Sequence, residues 1–133
     1  MDNCIFCKIA NKEIPGKIIY EDDVCMAFLD LSQATYGHTL VIPKQHFANI
    51  LEVDDDTLSH LFKTVKKVSQ TIMTKCHAQG LNVLTNTNEI AGQTVYHFHI
   101  HILPRYNENE LIIDFNDNSD KIDLDEVYSK IIQ

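Results

Sequence analysis

From Tyr96 to Leu103 the chain reads Tyr-His-Phe-His-Ile-His-Ile-Leu, alternating imidazole and apolar side chains with a period of two. That period belongs to an extended strand, not to a helix. Phe98, Ile100 and Ile102 then share one face, the candidate core face. His97, His99 and His101 share the other, with successive imidazoles about 6.6–6.8 Å apart along the chain. Neighbouring imidazolium charges repel, so crowding keeps at least one ring neutral and available as nucleophile or ligand near pH 7. Three readings of the row are open. It is a polar strand face without chemistry; or a metal chelate, His-x-His giving two ligands to one zinc; or a covalent site where one imidazole attacks phosphorus while its neighbours bind phosphate oxygens and manage protons. Three histidines are a poor surface choice where Thr or Lys would serve, which favours chemistry.

The surrounding sequence supplies a frame for such a strand. Ile5, Phe6 and Ile9 have helical spacing over 4–11, and Pro15-Gly16 ends that pattern. Segments 17–21 and 24–29 read as a hairpin turning at Asp22-Asp23, and 39–42 as an apolar strand stopped by Pro43. A long helix is expected over about 54–79, with Leu58, Leu61, Phe62, Val65, Val68, Ile72 and Met73 on one stripe. Asp54, Asp55 and Asp56 lie where the helix dipole favours anions, and Gly80 is the expected stop. Another strand over 81–85, a polar loop over 86–94 and the histidine strand over 95–103, ending at Pro104, complete the core. Residues 107–121 are acidic and Asn-rich, and 122–133 suit a short amphipathic helix. Without regular strand-helix alternation, this is an α+β chain: a mainly antiparallel sheet packed with one long helix. The 133 residues suit one domain, with a core over about 4–105 and a divergent acidic tail over about 106–133.

Charge narrows the function. Eleven Lys+Arg against 19 Asp+Glu give a net charge of −8, and protonating all seven histidines raises it only to −1, so a binder of nucleic-acid backbones is disfavoured. A small-molecule phosphate site is not. No apolar run approaches the ~20 residues of a membrane span, and the first residues show no secretory signal, so a cytoplasmic, reducing location is expected. In that setting Cys4-Ile5-Phe6-Cys7 reads as a metal-ligand pair ahead of a redox motif. Cys25 and Cys76 read as small buried side chains, and His60 and His77 as a solvated helix face.

Taken together, these segments resemble the histidine triad (HIT) family, whose hallmark is His-φ-His-φ-His-φ-φ with φ apolar. His97 to Leu103 matches it completely. Residues 13–15, 18–23, 28–32, 37–44 and 92–96 extend the similarity toward the Hint-like branch, the nucleoside phosphoramidases. The resemblance implies that His99 is the nucleophile toward the α-phosphorus of a nucleoside 5′-phosphoramidate or related adenylated compound, forming a nucleotidyl-histidine that water cleaves. His97 would orient His99 through its backbone carbonyl, and His101 would contact phosphate and assist proton transfer, with His38 supporting the cluster. Asn86, Gln93 and Thr94 would hold phosphate and Asp30 the ribose hydroxyls. Ile5, Phe6, Ile9, Phe28 and Leu31 would form the slot for a purine base, although each also suits a plain core position. A nucleotide-binding or adaptor protein without catalysis is the alternative, and a hydrolase with zinc held by the triad is a third.

The pair Cys4 and Cys7 resembles bacterial members of the branch, in which two distant histidines complete a zinc site. Here His46 and His97 would do so, giving a structural Cys2His2 set and turning His97 toward the metal. The resemblance also implies a homodimer.

Overall fold

The computed structural model describes residues 3–133. Five strands, β1 (Ile18–Glu21), β2 (Cys25–Leu29), β3 (Thr39–Pro43), β4 (Gly80–Leu84) and β5 (Ile100–Arg105), form one sheet in the order β1-β2-β3-β5-β4. Every neighbouring pair is antiparallel. Among the described residues three α-helices accompany it: α1 (Ile5–Ala10), α2 (Asp55–Cys76) and α3 (Leu124–Ile132). The expected α+β architecture is therefore present.

β2 and β3 are almost continuously buried because helices cover both faces of the sheet. Strand alternation sends Cys25, Ala27, Val41, Ile100 and Ile102 to one side, against Leu61, Val65, Val68 and Ile72 of α2. Met26, Phe28, Leu40 and Ile42 point to the other, against Phe6, Ile9 and Ala10 of α1. Phe98 joins the α2 side, so the histidines are left for the α1 side. At the edge of the α2 stripe Phe62 remains 42% exposed.

Local chemistry sets the helix ends, with one correction. Asp54 caps α2 by accepting from the Thr57 N–H at 3.1 Å, with Asp55 and Asp56 in the first turn. At the other end the chain leaves the helix after Cys76, with His77 in the left-handed region at φ 58°. Gly80 is not the stop; it opens β4. His77 thus lies past the helix, not on its face.

The histidine strand is also shorter than its alternation implies. Regular pairing begins at Ile100, because the Phe98 N–H donates to the Phe47 carbonyl at 2.6 Å instead of to a neighbouring strand. Pro43 ends β3 as expected, but Pro104 does not end β5. Pro43 is the last residue of β3, opposite Cys25, and Pro104 lies within β5 opposite Leu81. The β3–β5 ladder stops at Ile102, so Pro104 sits beyond it with one neighbouring strand and its missing N–H is tolerated.

Arg105, the last residue of β5, organises the next turn, donating to Glu110 Oε1 at 3.0 Å, Asn82 Oδ1 at 2.7 Å and the Leu111 carbonyl at 2.7 Å. From residue 112 onward every residue is exposed, although α3 forms in the expected segment with Asp123 capping it.

Candidate active site

His99 and His101 line a cleft of about 380 Å³ on the α1 side of the sheet. Phe6 and Ile9 of α1, Phe28, Asp30 and Leu31 of β2 and the loop after it, and Asn86 and Thr94 of the polar segment line it with them. The Phe6 ring meets His99 edge-on, with centroids 5.0 Å apart, and Phe28 at 5.5 Å. A short helix that buries Phe6 therefore roofs a histidine face that would otherwise be open.

Each imidazole has a distinct partner, and the partners assign the protons. His97 Nε2–H donates to the Pro43 carbonyl at 2.8 Å, leaving the Nδ1 lone pair free. His99 Nδ1–H donates to the His97 carbonyl at 2.7 Å, which places the lone pair on Nε2. His38 Nδ1 accepts from the Ala34 N–H at 3.1 Å, so its proton is on Nε2. That Nε2 lies 2.9 Å from His101 Nδ1 and 3.5 Å from Asp30 Oδ2. His101 Nδ1 is then an acceptor, and its own proton sits on Nε2. Within a few ångströms the chain sets one ring with a free lone pair beside another with a free N–H.

Burial favours the neutral forms. His97 is pushed down to about 4, by burial first, with His46 and His99 adding to it against the Pro43 hydrogen bond. Burial, followed by the neighbouring His99 and His38, takes His101 down to about 4 as well. His99 and His38 are lowered for the same leading reason, with Asp30 acting in the opposite direction on both. A neutral imidazole retains the lone pair that attack or ligation requires.

His97 faces the other way, into a cluster with Cys4, Cys7 and His46. Its Nδ1 lies 3.3 Å from Cys4 Sγ and 3.5 Å from Cys7 Sγ, and His46 Nδ1 lies 3.4 Å from Cys7 Sγ. Bonds of about 2.3 Å to sulfur and 2.0–2.1 Å to nitrogen give a tetrahedral zinc site an S···N edge of about 3.5 Å, so the donor set fits such an ion. Burial and the adjacent Cys4 raise the Cys7 thiol to about 11, a cost that a cation between the sulfurs would reverse. The Cys7 N–H donates to Cys4 Sγ at 3.3 Å, and the Pro43 carbonyl holds the far nitrogen of His97. Both contacts orient ligands from behind.

The remaining expected residues separate by position. Asn86 and Thr94 face the cleft, as does Asp30. Leu31 is 94% exposed and Ile5 46%, so both are rim residues, not walls of a closed slot. Gln93 departs from expectation. It is buried, its amide donates to the Ala48 and Val95 carbonyls, and its oxygen accepts from the Asn88 N–H. Those bonds consume the side chain in shaping the loop, with Gly92 at φ 103° closing the turn before it. Thr85 was not singled out in the sequence, yet its hydroxyl donates to the His99 carbonyl at 2.7 Å. Nothing local marks it, since the contact spans 14 residues.

A family model for the HIT domain matches residues 11–108. An uncharacterised HIT-like protein of Methanocaldococcus jannaschii is 44% identical over 128 residues, 96% of this chain and 98% of its own. The adenosine 5′-monophosphoramidase of Schizosaccharomyces pombe is 42% identical over 106 residues, 80% of this chain and 77% of its own. Among solved structures, a HIT family protein from Bacillus anthracis superposes with a TM-score of 0.91 at 42% identity, covering 98% of this chain and 95% of that one. A Zn-bound histidine triad family protein from Mycobacterium smegmatis gives a TM-score of 0.79 at 31% identity, covering 90% and 87%. With its triad, its sheet order and these matches in agreement, the chain belongs to the HIT domain family, in its Hint-like branch.

Proposed function

We propose that this protein is a nucleotide-binding hydrolase that cleaves the bond to the α-phosphate of nucleoside 5′-phosphoramidates or related adenylated compounds, through a covalent nucleotidyl intermediate on His99. The observation that carries the reading is the tautomer of His99: its Nδ1 proton is committed to the His97 carbonyl, so Nε2 presents its lone pair at the cleft. Similarity to a monophosphoramidase supports the substrate class.

In this mechanism the leaving nitrogen takes a proton from water at the cleft mouth, His99 Nε2 attacks the α-phosphorus, and the P–N bond to the amine breaks while His101 Nε2–H donates to a phosphate oxygen beside the leaving group. His38 holds His101 Nδ1 as an acceptor throughout. Water then attacks phosphorus, the P–Nε2 bond breaks, the nucleoside monophosphate leaves, and the proton released by the water returns to solvent. Asn86 and Thr94 bind phosphate oxygens where charge develops, and Gln93 acts from behind by fixing the loop that carries Thr94. Asp30 takes the ribose hydroxyls, and a purine base lies among Phe6, Ile9 and Phe28 with Ile5 and Leu31 at the rim.

Zinc suits Cys4, Cys7, His46 and His97, where all four positions are filled by protein and no coordination site opens toward substrate. Bound there, the ion ties α1, and with it the Phe6 roof, to the sheet. Thiolate ligands also agree with a reducing, cytoplasmic setting. A homodimer is supported by β4, an edge strand with exposed Val83 beside exposed Phe62 of α2.

The test is release of AMP from adenosine 5′-phosphoramidate by the wild-type protein and by His99→Ala. The variant is expected to lose about 10³-fold or more in rate. Equal rates would remove His99 as nucleophile.

A further inference from the structure

On the opposite face of the sheet a second set of donors converges, away from the cleft and its thiol cluster. Asp22 in the β1–β2 turn, Cys25 in β2 and His60 in α2 each offer one ligand atom, all within 4.8 Å of one another. We propose that these three side chains form a second metal site, for a zinc-like divalent cation, with water in the fourth position.

Two of the three separations are near those the ion requires, and the third, from His60 to Cys25, is within 4.8 Å. Asp22 Oδ2 lies 2.8 Å from His60 Nε2 and 3.7 Å from Cys25 Sγ. Tetrahedral zinc puts the O···N edge at about 3.3 Å and the O···S edge at about 3.5 Å, so His60 must withdraw by about half an ångström. His60 can do so, since its side chain is 40% exposed on the helix surface. The carboxylate, by contrast, is held. Its Oδ1 accepts the Val24 and Cys25 N–H groups at 2.8 and 2.9 Å, and Tyr20 O–H donates to Oδ2 at 2.8 Å. Such outer contacts aim one oxygen at the remaining two donors.

Charge and access agree with this assignment. A carboxylate and a thiolate around a divalent cation sum to zero, which removes the cost of burying the sulfur as an anion. Thr64 Oγ1 lies 3.3 Å from Cys25 Sγ and can donate to the thiolate. Cys25 is fully buried, while Asp22 and His60 are partly exposed, so the ion enters from the solvent side and the open position faces out. Sulfur, imidazole and a single carboxylate oxygen select zinc or cobalt over magnesium or calcium, which take all-oxygen shells. Once loaded, the site fastens α2 to the β1–β2 turn. His60 and Cys25 are then ligands, not the solvated helix residue and plain core thiol that the sequence suggests.

The experiment is a Co²⁺ titration of the folded protein, read as metal bound per chain and as thiolate-to-cobalt charge-transfer absorption. Wild type, His60→Asn, Cys25→Ala and Cys4→Ser are compared. His60→Asn changes only a partly exposed residue, and its fold is checked by circular dichroism. It is expected to bind one equivalent fewer than wild type, as is Cys25→Ala, while Cys4→Ser retains the second site's absorption. If His60→Asn binds as much cobalt as wild type, or if Cys4→Ser abolishes all cobalt–thiolate absorption, the proposal is overturned.

Discussion

His97 and His101 are four residues apart on one side of the same sheet, yet they serve regions of opposite character. The His97 region is closed: two sulfurs and a second imidazole surround its Nδ1, and Pro43 takes its other nitrogen. The His99–His101 region is open, with one lone pair and one N–H facing a cleft. The residue type is constant, so closure comes from what surrounds each ring, and whether a ring presents a lone pair or a proton comes from what its second nitrogen touches. A backbone carbonyl leaves a lone pair in play, whereas a neighbouring imidazole donor leaves a proton in play. The two regions share a peptide, since the carbonyl of His97 holds His99, and a residue of the closed region therefore positions the open one.

The largest expected effect breaks the open region alone. His99→Ala lowers phosphoramidate turnover by about 10³-fold or more. Metal content should stay at the wild-type value, which metal analysis of the purified variant checks.

Cys7→Ser breaks the closed region instead. Loss of bound metal and a fall in unfolding free energy on the order of 3 kcal/mol are expected, because a site assembled on folding contributes its binding energy to the fold. Chemical denaturation with and without chelator measures both. If stability is unchanged in the variant and by chelator, the cluster is not structural.

Acid sharpens the comparison further. His101 is held at about 4 in the fold against 6.5 ordinarily, so the unfolded chain takes up its proton first. Its contribution is complete above about pH 6.5 and is lost as pH falls from there toward 4. The limb is on the order of 3 kcal/mol at one site. Denaturation across that window should show stability falling with acidity, and His101→Asn should flatten the slope. An unchanged slope would mean that His101 is not held neutral by its surroundings.

The smallest effect tests the link between the regions. Thr85→Val removes the hydroxyl donor to the His99 carbonyl, at a cost of about 1 kcal/mol. A severalfold loss in turnover with metal content intact would show that the backbone of the triad, and not only its rings, is positioned.

Much of the frame was legible because it depends on local periodicity. The stripe Leu61, Val65, Val68 and Ile72 is buried against the sheet, and Asp54 caps its helix. Elsewhere long-range partners override local signals. His77 ends α2 before Gly80 is reached, Phe47 draws Phe98 off the ladder, and Pro104 is accommodated where β3 stops. Gln93 reads as a ligand-binding amide until the Ala48 carbonyl, 45 residues away, is seen to take it. His60 reads as solvated until Asp22, 38 residues away, meets it.

The sequence by itself determined the alternation that separates three histidines from the apolar residues between them, because extended chain sends successive side chains to opposite sides, and the fold keeps that separation although only His101 of the three lies within β5. It also placed two thiols near the chain's start. Only the tertiary structure decided the proton positions and the division of labour. Those depend on the Pro43 carbonyl, 54 residues from His97, and on His38, 63 residues from His101. Strand periodicity is local, whereas the tautomer of an imidazole is set by whichever atom the fold brings to its second nitrogen.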